Sequence, residues 1–392
     1  MISFGCCMKI VFIIPSITNF HTFLNELSDS LLKDGHKVYL IAGEKPVVKG
    51  ESPYSDLIDC EWIKMEFPRS LQPQKHFITA RKIDNIIQDI HPDLIHVHFS
   101  AAMFTVSLAK KPNWPQVIAT IHGLAWPTRK GRSKLILKKA EISSAKKMDQ
   151  VIVLNKDDLI KLKDNGVHNS HIITNYGIGC NTDQFDQEKI NSDAKSSLKR
   201  KFKIKDNDIV FIFIGRQTQF KGFNKVIRAF MQIYHSRSPY HLLLIGENDY
   251  IHKSGLNAIE ESLLSQIPSI HQIGWKANIE TFLAIADINV FPSSREGLPV
   301  NLMESLSMGI PVITIDSRGC NEIINHNENG IILEDDSVES LSSAMKHLGE
   351  NFVLRSKLSQ NGLLKRADYD RSIFIKKQKE FYSTFIHQEN DV

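Results

Sequence analysis

Cysteine is scarce in this sequence of 392 residues, and the cysteines that occur have no metal-ligand spacing. The five are Cys6, Cys7, Cys60, Cys180 and Cys320. A disulfide framework is typical of short chains with an even number of cysteines, and a structural zinc site needs its ligands in closely spaced pairs. Neither is expected here, and the thiols are predicted to be reduced, as in a cytoplasm.

Long apolar runs are also missing. The longest, near Ile10–Ile14 and Ile209–Ile214, are the length of strands and far shorter than a membrane-spanning helix. The first residues, MISFGCCMKIVFII, lack the basic segment of a signal peptide and are predicted to form a strand, with Met8 as an alternative start. The net charge of +4 is too small to indicate nucleic acid as a partner.

What is present is an alternation of short apolar runs with helical patterns, such as the one predicted from Phe20 to Leu31 and ended by Gly35. The composition, 42% apolar and 23% charged, and the chain length suit two globular domains. Strands are predicted at Lys9–Pro15, Val38–Ala42, Leu94–His98, Val117–Ile121, Val151–Leu154, Ile209–Ile214, Leu242–Ile245, Ile270–Ile273, Ile288–Phe291 and Val312–Ile315. Strands that alternate with helices predict parallel sheets covered on both faces. The polar stretch 175–197 is the predicted boundary between the domains.

The stretch Phe291–Thr314, FPSSREGLPVNLMESLSMGIPVIT, has the clearest local pattern. A strand ends at its start, and a polar turn leads to a helix with Pro299 as its predicted first residue. Gly309 is predicted to end that helix, and Pro311 precedes the next strand. This order leaves the amino-terminal end of a helix open at the carboxyl edge of a sheet. Its free N–H groups can bind a phosphate or a sugar oxygen.

Two carboxylates accompany this helix. Glu296 lies in the turn before it, and Glu304 lies partway along it. The two can therefore contact opposite ends of one elongated polar ligand. From their positions alone, two solvated surface glutamates are an equally good interpretation, because glutamates are common near helix starts.

A pair of cations follows an earlier predicted strand. Gly215 and Arg216 come directly after the strand, and Lys221 and Gly222 begin the next helical pattern. Cations beside a helix amino terminus suit a diphosphate group. Taken alone, however, two solvated cations in a loop are the more common arrangement.

Histidines lie at the ends of two predicted strands in the first half. His122 follows one strand, and His98 ends the strand before it, with His96 on the same face. A single histidine is more often structural than functional, and no third ligand accompanies His96 and His98, so a metal is not expected there. Asp206-Asn207-Asp208 precedes a strand rather than ending one and is predicted to be a turn, not a metal site.

Glu296 and Glu304, within SSREGLPVNLMESLSMGIPVI, resemble the E-x7-E signature of retaining glycosyltransferases of family 4, which have the GT-B fold. The Gly-Arg…Lys-Gly pair is similar to the diphosphate clamp of the family. Residues 175–185 resemble its interdomain stretch with an insertion. Residues 316–322 look like a segment of bacterial members that build surface polysaccharides on lipid diphosphate carriers. The resemblance covers nearly the whole chain and is strongest over Ile209–Leu333.

The resemblance implies an α/β architecture of the GT-B type, with two doubly wound, Rossmann-like parallel-sheet domains facing each other across a cleft. Residues 1–178 would form the acceptor-binding domain. Residues 179–370 would form the domain that binds the nucleotide-sugar donor. A helix within residues 371–392 would pack back on the first domain.

The resemblance also implies roles for individual residues. Arg216 and Lys221 would stabilise the charge that develops on the departing diphosphate. Glu296 would contact the donor-sugar hydroxyls, Glu304 the ribose, and His122 a sugar hydroxyl. Four further positions would lie on the donor side. Gly215 follows a strand, and Gly297, Leu298 and Pro299 lie at the helix start.

The activity implied is transfer of a hexose or N-acetylhexosamine, with retention, from a nucleotide-diphosphate sugar, UDP being favoured. The acceptor would be a glycan or a polyprenyl-diphosphate-linked saccharide of bacterial surface polysaccharide, such as O-antigen. No metal or other cofactor is expected, because Asp206-Asn207-Asp208 is predicted to be a turn. Front-side attack assisted by the leaving diphosphate is expected, because no carboxylate pair for double displacement is identifiable. A GDP-mannose-dependent mannosyltransferase, a GT-B sugar-nucleotide epimerase and an inactive binding module are the alternatives. A dehydrogenase is not supported, because residues 177–179 lack the third glycine of that fingerprint.

The loop after the first strand departs from the family pattern. A Gly-Gly turn is common there, whereas this chain has Pro15-Ser16-Ile17-Thr18-Asn19-Phe20. The hydrogen-bonding side chains of Ser16, Thr18 and Asn19 are therefore candidates for contacts with the acceptor, as is His98.

A basic segment lies between Arg129 and Lys147, where eight Lys or Arg residues accompany a single Glu. Leu135, Ile136 and Leu137 lie among them. Two interpretations stay open: a helix that touches an anionic membrane surface, here the inner face of the cytoplasmic membrane, or a solvated charged face.

Overall fold

The computed structural model describes residues 7–44, 59–68, 72–249 and 252–385. The chain divides into two compact units, one formed by Met1–Ile178 with Ser372–Val392 and the other by Gly179–Arg371. The expectations for the first six residues lie outside the described ranges. No helix within those ranges is long and apolar enough to cross a lipid bilayer.

The first unit contains a seven-stranded sheet with the order β3-β2-β1-β4-β5-β6-β7. All neighbouring strands pair in parallel. The strands are β1 Lys9–Ser16, β2 Lys37–Gly43, β3 Glu61–Lys64, β4 Leu94–His98, β5 Gln116–Ile121, β6 Gln150–Val153 and β7 Ser170–His171. The helices between them are α1 Ile17–Phe23, α2 Asn25–Lys33, α3 Pro73–Ile90, α4 Ser100–Ala109, α5 Gly131–Ala145 and α6 Lys156–Asp164.

The second unit repeats the plan with a six-stranded parallel sheet of order β10-β9-β8-β11-β12-β13. Its strands are β8 Ile209–Ile214, β9 Tyr240–Ile245, β10 Ile270–Gly274, β11 Ile288–Val290, β12 Val312–Ile315 and β13 Gly330–Leu333. Its helices are α7 Ser192–Lys201, α8 Phe223–Ile233, α9 Ala258–Gln266, α10 Ile279–Leu283, α11 Val300–Ser307, α12 Cys320–Ile323, α13 Val338–Glu350 and α14 Phe352–Leu364. The last helix of the chain, α15, spans Arg371–Ser383.

Continuous apolar runs form the central strands because both faces of each sheet are covered. Every residue from Ile10 to Ile14 of β1 is buried, and so is every residue from Val210 to Ile214 of β8. Strands that are apolar at every position, rather than at alternate positions, belong in the middle of a sheet with helices on both sides. The two sheets confirm the predicted fold class.

The carboxyl-terminal helix α15 packs on the first unit from Ser372 onward. The Tyr382 hydroxyl lies 2.5 Å from Nδ1 of His96, and both side chains are fully buried. Lys379 donates to Ser30 at 3.0 Å and pairs with Asp34. The acceptor-binding and donor-binding roles of the two units stay predictions.

The structure differs from the sequence expectations at several short elements. The helical pattern expected to run from Phe20 to Leu31 is broken at Leu24, whose φ of −128° separates α1 from α2. The short strands β3, β7 and β13 were not predicted. All three are edge strands, of four, two and four residues, too short to show a period of their own.

Candidate active site

The loop between β11 and α11 has the predicted shape, with one difference at Pro299. This proline is the N-cap residue, with extended φ and ψ of −77° and 111°, rather than the first residue of the helix. The Pro299 side chain makes no capping hydrogen bond, so the N-cap residue leaves this helix start uncapped. At the other end Gly309 has a φ of 70°, and Ile310 N–H donates to the Ser305 carbonyl, as in a Schellman motif. The amino-terminal end of α11 therefore keeps donor groups available for a ligand.

Glu296, in this loop, makes two close contacts through the same carboxylate oxygen. Lys221 Nζ and Ser293 Oγ each lie 2.5 Å from Glu296 Oε1. The Glu296 side chain is 9% exposed and that of Lys221 is 17% exposed. Arg318 Nε also donates to the Glu296 carbonyl at 2.8 Å. Two residues predicted from separate motifs, Lys221 and Glu296, are thus brought into direct contact.

The position of Lys221 follows from how the loop after β8 docks on the loop after β11. The Phe220 carbonyl accepts from Ser294 N–H at 2.9 Å and from Ser294 Oγ at 3.1 Å. Gly222 follows Lys221 and has a φ of 78°, and a Cβ at this position would lie 2.4 Å from the Pro292 carbonyl oxygen. Only glycine permits this approach, which explains the Lys-Gly order at the start of α8.

Arg216, the second predicted cation, lies at the carboxyl end of β8 directly after Gly215, and it has a different partner. Its Nη1 lies 2.5 Å from Oδ2 of Asp249, and its side chain is 55% exposed. Asp249 Oδ2 also lies 3.3 Å from His252 Nδ1. The Arg216 guanidinium lies 5.4 Å from the centre of the Phe220 ring, and that of Arg295 lies 4.9 Å from it.

Glu304 lies in α11, and its side chain receives no hydrogen bond from any residue in the described ranges. Burial raises the pKa of its carboxyl to about 7, with Glu280 adding to the rise and Arg371 opposing it. A carboxyl in this state gains hydrogen-bond donors when a polyhydroxyl group is placed against it. Gly297 and Leu298, in the loop before α11, are buried.

In the first unit, His122 follows β5 and belongs to a group of aromatic rings. Its Nε2 lies 3.1 Å from Nδ1 of His98, and its ring stacks on that of Phe99 with centres 4.1 Å apart and planes 10° apart. Burial lowers the pKa of His122 to about 3 and that of His98 well below its ordinary value, so both rings are neutral. Neutral imidazoles are suited to hydrogen bonding with hydroxyl groups.

The candidate acceptor residues after β1 take part in the start of α1. Ser16 is the N-cap residue, and its Oγ accepts from Asn19 N–H at 3.3 Å and lies 2.5 Å from Asn19 Oδ1. Thr18 lies in the first turn, and the Thr22 hydroxyl donates to its carbonyl at 2.9 Å. The Ser16 side chain therefore caps α1, and the Asn19 side chain accepts from the Ser16 hydroxyl. Their contacts with an acceptor stay a prediction.

The segment Asp206-Asn207-Asp208 forms a turn before β8, as predicted. The Asp208 carboxylate accepts from Lys205 N–H at 2.8 Å and lies 3.2 Å from His241 Nε2. Among the residues that the structure describes, no three His, Cys, Asp or Glu side chains are grouped so as to hold a metal ion.

The basic segment forms α5. Its single acid, Glu141, is buried and accepts from Ala125 N–H at 3.0 Å and Trp126 N–H at 3.0 Å, so it points inward. Lys134 and Lys138 lie over the Trp126 ring. Two large apolar side chains on the helix are exposed: Leu135 at 68% and Ile136 at 59%.

Some residues of the site were not predicted individually. Ser293 and Phe220 lie inside the motifs but were not assigned a role, although the polar turn and the Lys-Gly step pointed to their neighbourhood. Asp249, in the loop after β9, and Phe99, after β4, carry no sequence signal. Their importance comes from contacts with residues distant in the sequence.

Two parallel-sheet units of this kind are the architecture of the GT-B class of glycosyltransferases, and the second unit brings a cation and a carboxylate together in the loops after β8 and β11. The model of the family described as "Glycosyltransferase Family 4" matches residues 20–176, and that of "Glycosyl transferases group 1" matches residues 194–365. The chain belongs to the glycosyltransferases that these two models describe.

Individual relatives are similar over most of their length. The alpha-monoglucosyldiacylglycerol synthase of Acholeplasma laidlawii is 24% identical over 96% of this chain and 96% of its own. The UDP-Gal:alpha-D-GlcNAc-diphosphoundecaprenol alpha-1,3-galactosyltransferase of Escherichia coli is 28% identical over 84% of this chain and 88% of its own. The crystal structure of Anabaena HepE with UDP and glucose superposes with a TM-score of 0.79 at 14% identity, covering 96% of this chain and 99% of that one. This structural similarity establishes the GT-B fold.

Proposed function

We propose that this glycosyltransferase moves a hexose or N-acetylhexosamine from a UDP-sugar, with retention, to a glycan or lipid-linked saccharide in bacterial surface polysaccharide biosynthesis. The observation that carries the proposal is the contact between Lys221 and Glu296 beside the uncapped start of α11. A cation and a carboxylate meet there at a helix end. The diphosphate and the sugar of one donor need these two kinds of group side by side.

The donor assignment draws on the chemistry of the second unit. Lys221, Arg216 and the helix dipole of α11 would stabilise the diphosphate, while Glu296 would accept hydrogen bonds from sugar hydroxyls and Glu304 from the ribose. The E. coli relative is named for UDP-Gal, and the Anabaena structure contains UDP and glucose. We therefore propose UDP as the nucleotide of the donor, with uracil as its base.

In the reaction, the bond between the anomeric carbon and the β-phosphate oxygen breaks, and UDP departs with the bonding electrons. The acceptor hydroxyl attacks the anomeric carbon on the face from which UDP departs and gives its proton to the departing diphosphate oxygen. Arg216 and Lys221 act more strongly on the transition state than on the bound donor, because negative charge on the diphosphate grows as the bond breaks. These cations supply the charge that a metal ion supplies in other transferases, so we propose no metal and no other cofactor.

The acceptor and the place of action are proposed from α5 and from the names of relatives. The E. coli relative is named for a diphosphoundecaprenol-linked substrate, and the Acholeplasma relative for a diacylglycerol glycolipid. Exposed Leu135 and Ile136 among the lysines and arginines of α5 suit a surface that carries such a lipid. We propose that the protein works at the inner face of the cytoplasmic membrane and contacts its anionic lipids through residues 129–147.

A panel of UDP- and GDP-sugars tests the proposal, first by protection against thermal unfolding and then by transfer. A donor at 100 times its Kd stabilises the protein by about 2.7 kcal/mol. We expect protection by UDP-sugars, and UDP release in the presence of a polyprenyl-diphosphate-linked saccharide that chelation with EDTA leaves unchanged. Protection by GDP-mannose alone, or conversion of the donor to an isomer without an acceptor, would overturn the proposal. A rate abolished by EDTA would overturn its metal-free part.

A further inference from the structure

Phe99 has a backbone conformation that aromatic residues rarely adopt. It follows the last residue of β4 and precedes α4, with a φ of 70° and a ψ of 145°. This combination lies outside the left-handed helical region and is normally restricted to glycine. Two hydrogen bonds hold it in place: Phe99 N–H donates to the Thr120 carbonyl at 2.9 Å, and Met103 N–H donates to the Phe99 carbonyl at 3.0 Å.

The strained residue places its ring against His122. The two rings are stacked, with centres 4.1 Å apart and planes 10° apart. The Phe23 ring, at the end of α1, lies 4.8 Å from the same imidazole and 5.8 Å from the Phe99 ring. Two phenyl rings from different elements therefore restrict the orientation of His122. Strain that persists in a native structure is most often found where it serves a site.

His98 couples its own tautomer to that of His122, because a ring nitrogen of each lies in this contact. Nδ1 of His98 and Nε2 of His122 are 3.1 Å apart. Because both imidazoles are neutral, they share a single N–H in this contact. The two outer nitrogens, His98 Nε2 and His122 Nδ1, are buried and find no hydrogen-bond partner in the described ranges. One of them must be a donor and the other an acceptor, whichever ring donates in the shared contact.

We propose that Phe99 and His98 are positioning residues for recognition of a sugar hydroxyl: Phe99 holds the ring plane of His122, and His98 couples its own tautomer to that of His122. The inference rests on the proposed function, which assigns His122 to a sugar. A hydroxyl is the complementary ligand, because it can donate to a bare nitrogen and accept from a protonated one. An unpaired buried polar group is costly, and completing it favours ligand binding.

Three substitutions of Phe99 separate strain from ring contact. Both Phe99→Gly and Phe99→Ala remove the ring, but only glycine accepts this backbone without strain, so we expect a higher Tm for the glycine variant than for the alanine variant. Both are expected to lose about tenfold or more in kcat/KM, because misplacing a contact group by about 1 Å can cost up to about 100-fold. Phe99→Tyr keeps the ring and should retain activity. A glycine variant with wild-type kcat/KM would overturn the role of Phe99.

Two substitutions of His98 test the tautomer. An asparagine amide reaches the position of Nδ1 and can donate or accept, whereas leucine is apolar. We therefore expect His98→Asn to keep most of the activity and His98→Leu to lose about tenfold or more. The nitrogen NMR shifts of His122 provide a readout without substrate: we expect them to change in His98→Leu, which removes the partner of Nε2, and to stay close to wild type in His98→Asn. The same shifts in all three proteins would overturn the role of His98.

The outcome is distinguishable from a failure of the proposed function. If wild type shows no UDP release with any donor, the proposed function fails, while the Tm order of the Phe99 variants and the His122 shifts still report on the positioning roles. If wild type is active and the variants are equally active, the proposed function stands and the positioning roles fail.

Discussion

The ammonium of Lys221 and the carboxylate of Glu296 lie 2.5 Å apart, although the two residues are 75 positions apart in the sequence. The pair is largely removed from solvent, with side-chain exposures of 17% and 9%. Removing one partner from such a pair leaves the other charge uncompensated. The pair therefore links the stability of the second unit to the residues proposed to bind the donor.

This link can be measured with Lys221→Met, Glu296→Gln and the double variant. Each single variant is expected to lose about 2 kcal/mol of unfolding free energy, since hydrogen bonds to charged groups contribute ~1.5–3 kcal/mol. The double variant is expected to lose clearly less than the sum of the two, because it leaves no unpaired charge. Urea denaturation of the four proteins gives the coupling energy. Additive losses would show that the two side chains do not interact in solution.

Activity should not follow stability in this series. The double variant is expected to lose less stability than the two single variants do in sum, but it lacks both the cation and the carboxylate, so its rate of UDP release is expected to stay at least about 100-fold below wild type. Recovery of the rate together with the stability would contradict a direct role for the two residues.

A second prediction concerns the carboxylate that holds the other cation. Asp249 neutralises Arg216 in the unliganded protein, so a diphosphate must compete with it for the guanidinium. Asp249→Asn is expected to tighten UDP binding several-fold and to slow UDP release, because Arg216 then has no competing anion. Phe220 remains to hold the guanidinium in place. Isothermal titration calorimetry with UDP and product-release kinetics measure the two effects.

The matched control is Asp206→Asn, which makes the same charge change at a side chain that is 96% exposed, in the turn before β8. It should leave UDP binding unchanged apart from a small, salt-sensitive effect of net charge. Weaker UDP binding in Asp249→Asn would mean that the carboxylate positions Arg216 rather than competing for it.

The sequence predicted much of this site because its main signals are local. Proline and glycine mark the ends of α11, and the strand-then-loop order places Lys221 and Glu296 at one edge of a sheet. The wrong details were also local: Pro299 caps the helix rather than starting it, and Leu24 breaks a continuous helical period. The residue pattern fits Pro299 as the cap or as the first helical residue, and it fits either one helix or two around Leu24.

What could not be predicted depends on contacts between distant segments. Asp249 pairs with a residue 33 positions away, and nothing in the loop after β9 distinguishes this aspartate from a solvated one. The strain at Phe99 arises because the chain between β4 and α4 must turn while its N–H reaches Thr120. A sequence pattern does not encode a positive φ at a phenylalanine.

The carboxyl of Glu304 predicts a pH dependence of nucleotide binding. Its pKa is raised to about 7, so below pH 7 it is mostly neutral in the unliganded protein. Hydrogen bonds from ribose hydroxyls favour the ionised form and lower that pKa, so binding releases a proton. UDP affinity is therefore expected to fall as the pH is lowered from 8 to 6, by at most about tenfold per pH unit.

Calorimetry in two buffers of different ionisation enthalpy counts the protons released. The diphosphate of UDP also loses a proton in this pH range, since the second pKa of a phosphate is about 6. Wild type must therefore be compared with Glu304→Gln. The glutamine keeps an acceptor oxygen but cannot ionise, and the difference between the two proteins isolates the carboxyl. Identical proton release in both would remove Glu304 from the nucleotide site.

The last prediction concerns the exposed side of α5. Its only acid, Glu141, is buried and turned inward, so the lysines and arginines of the helix present an uncompensated positive face with Leu135 and Ile136 exposed among them. The protein is expected to co-sediment with vesicles of anionic lipid at low salt. Release at high salt would reflect screening of the contact between charges. Neutral vesicles should bind it weakly, because two apolar side chains alone provide little anchoring.

Charge reversal identifies the surface responsible. Arg132→Glu with Lys139→Glu changes two exposed residues of α5 and should abolish vesicle binding while leaving transfer to a soluble acceptor unchanged. Arg200→Glu with Lys346→Glu makes the same change in net charge at exposed positions of α7 and α13, and should keep most of the binding. Equal losses in the two double variants would show that overall charge, not α5, attracts the protein to the membrane. Vesicle binding that does not change with salt concentration would show that charge does not drive the binding.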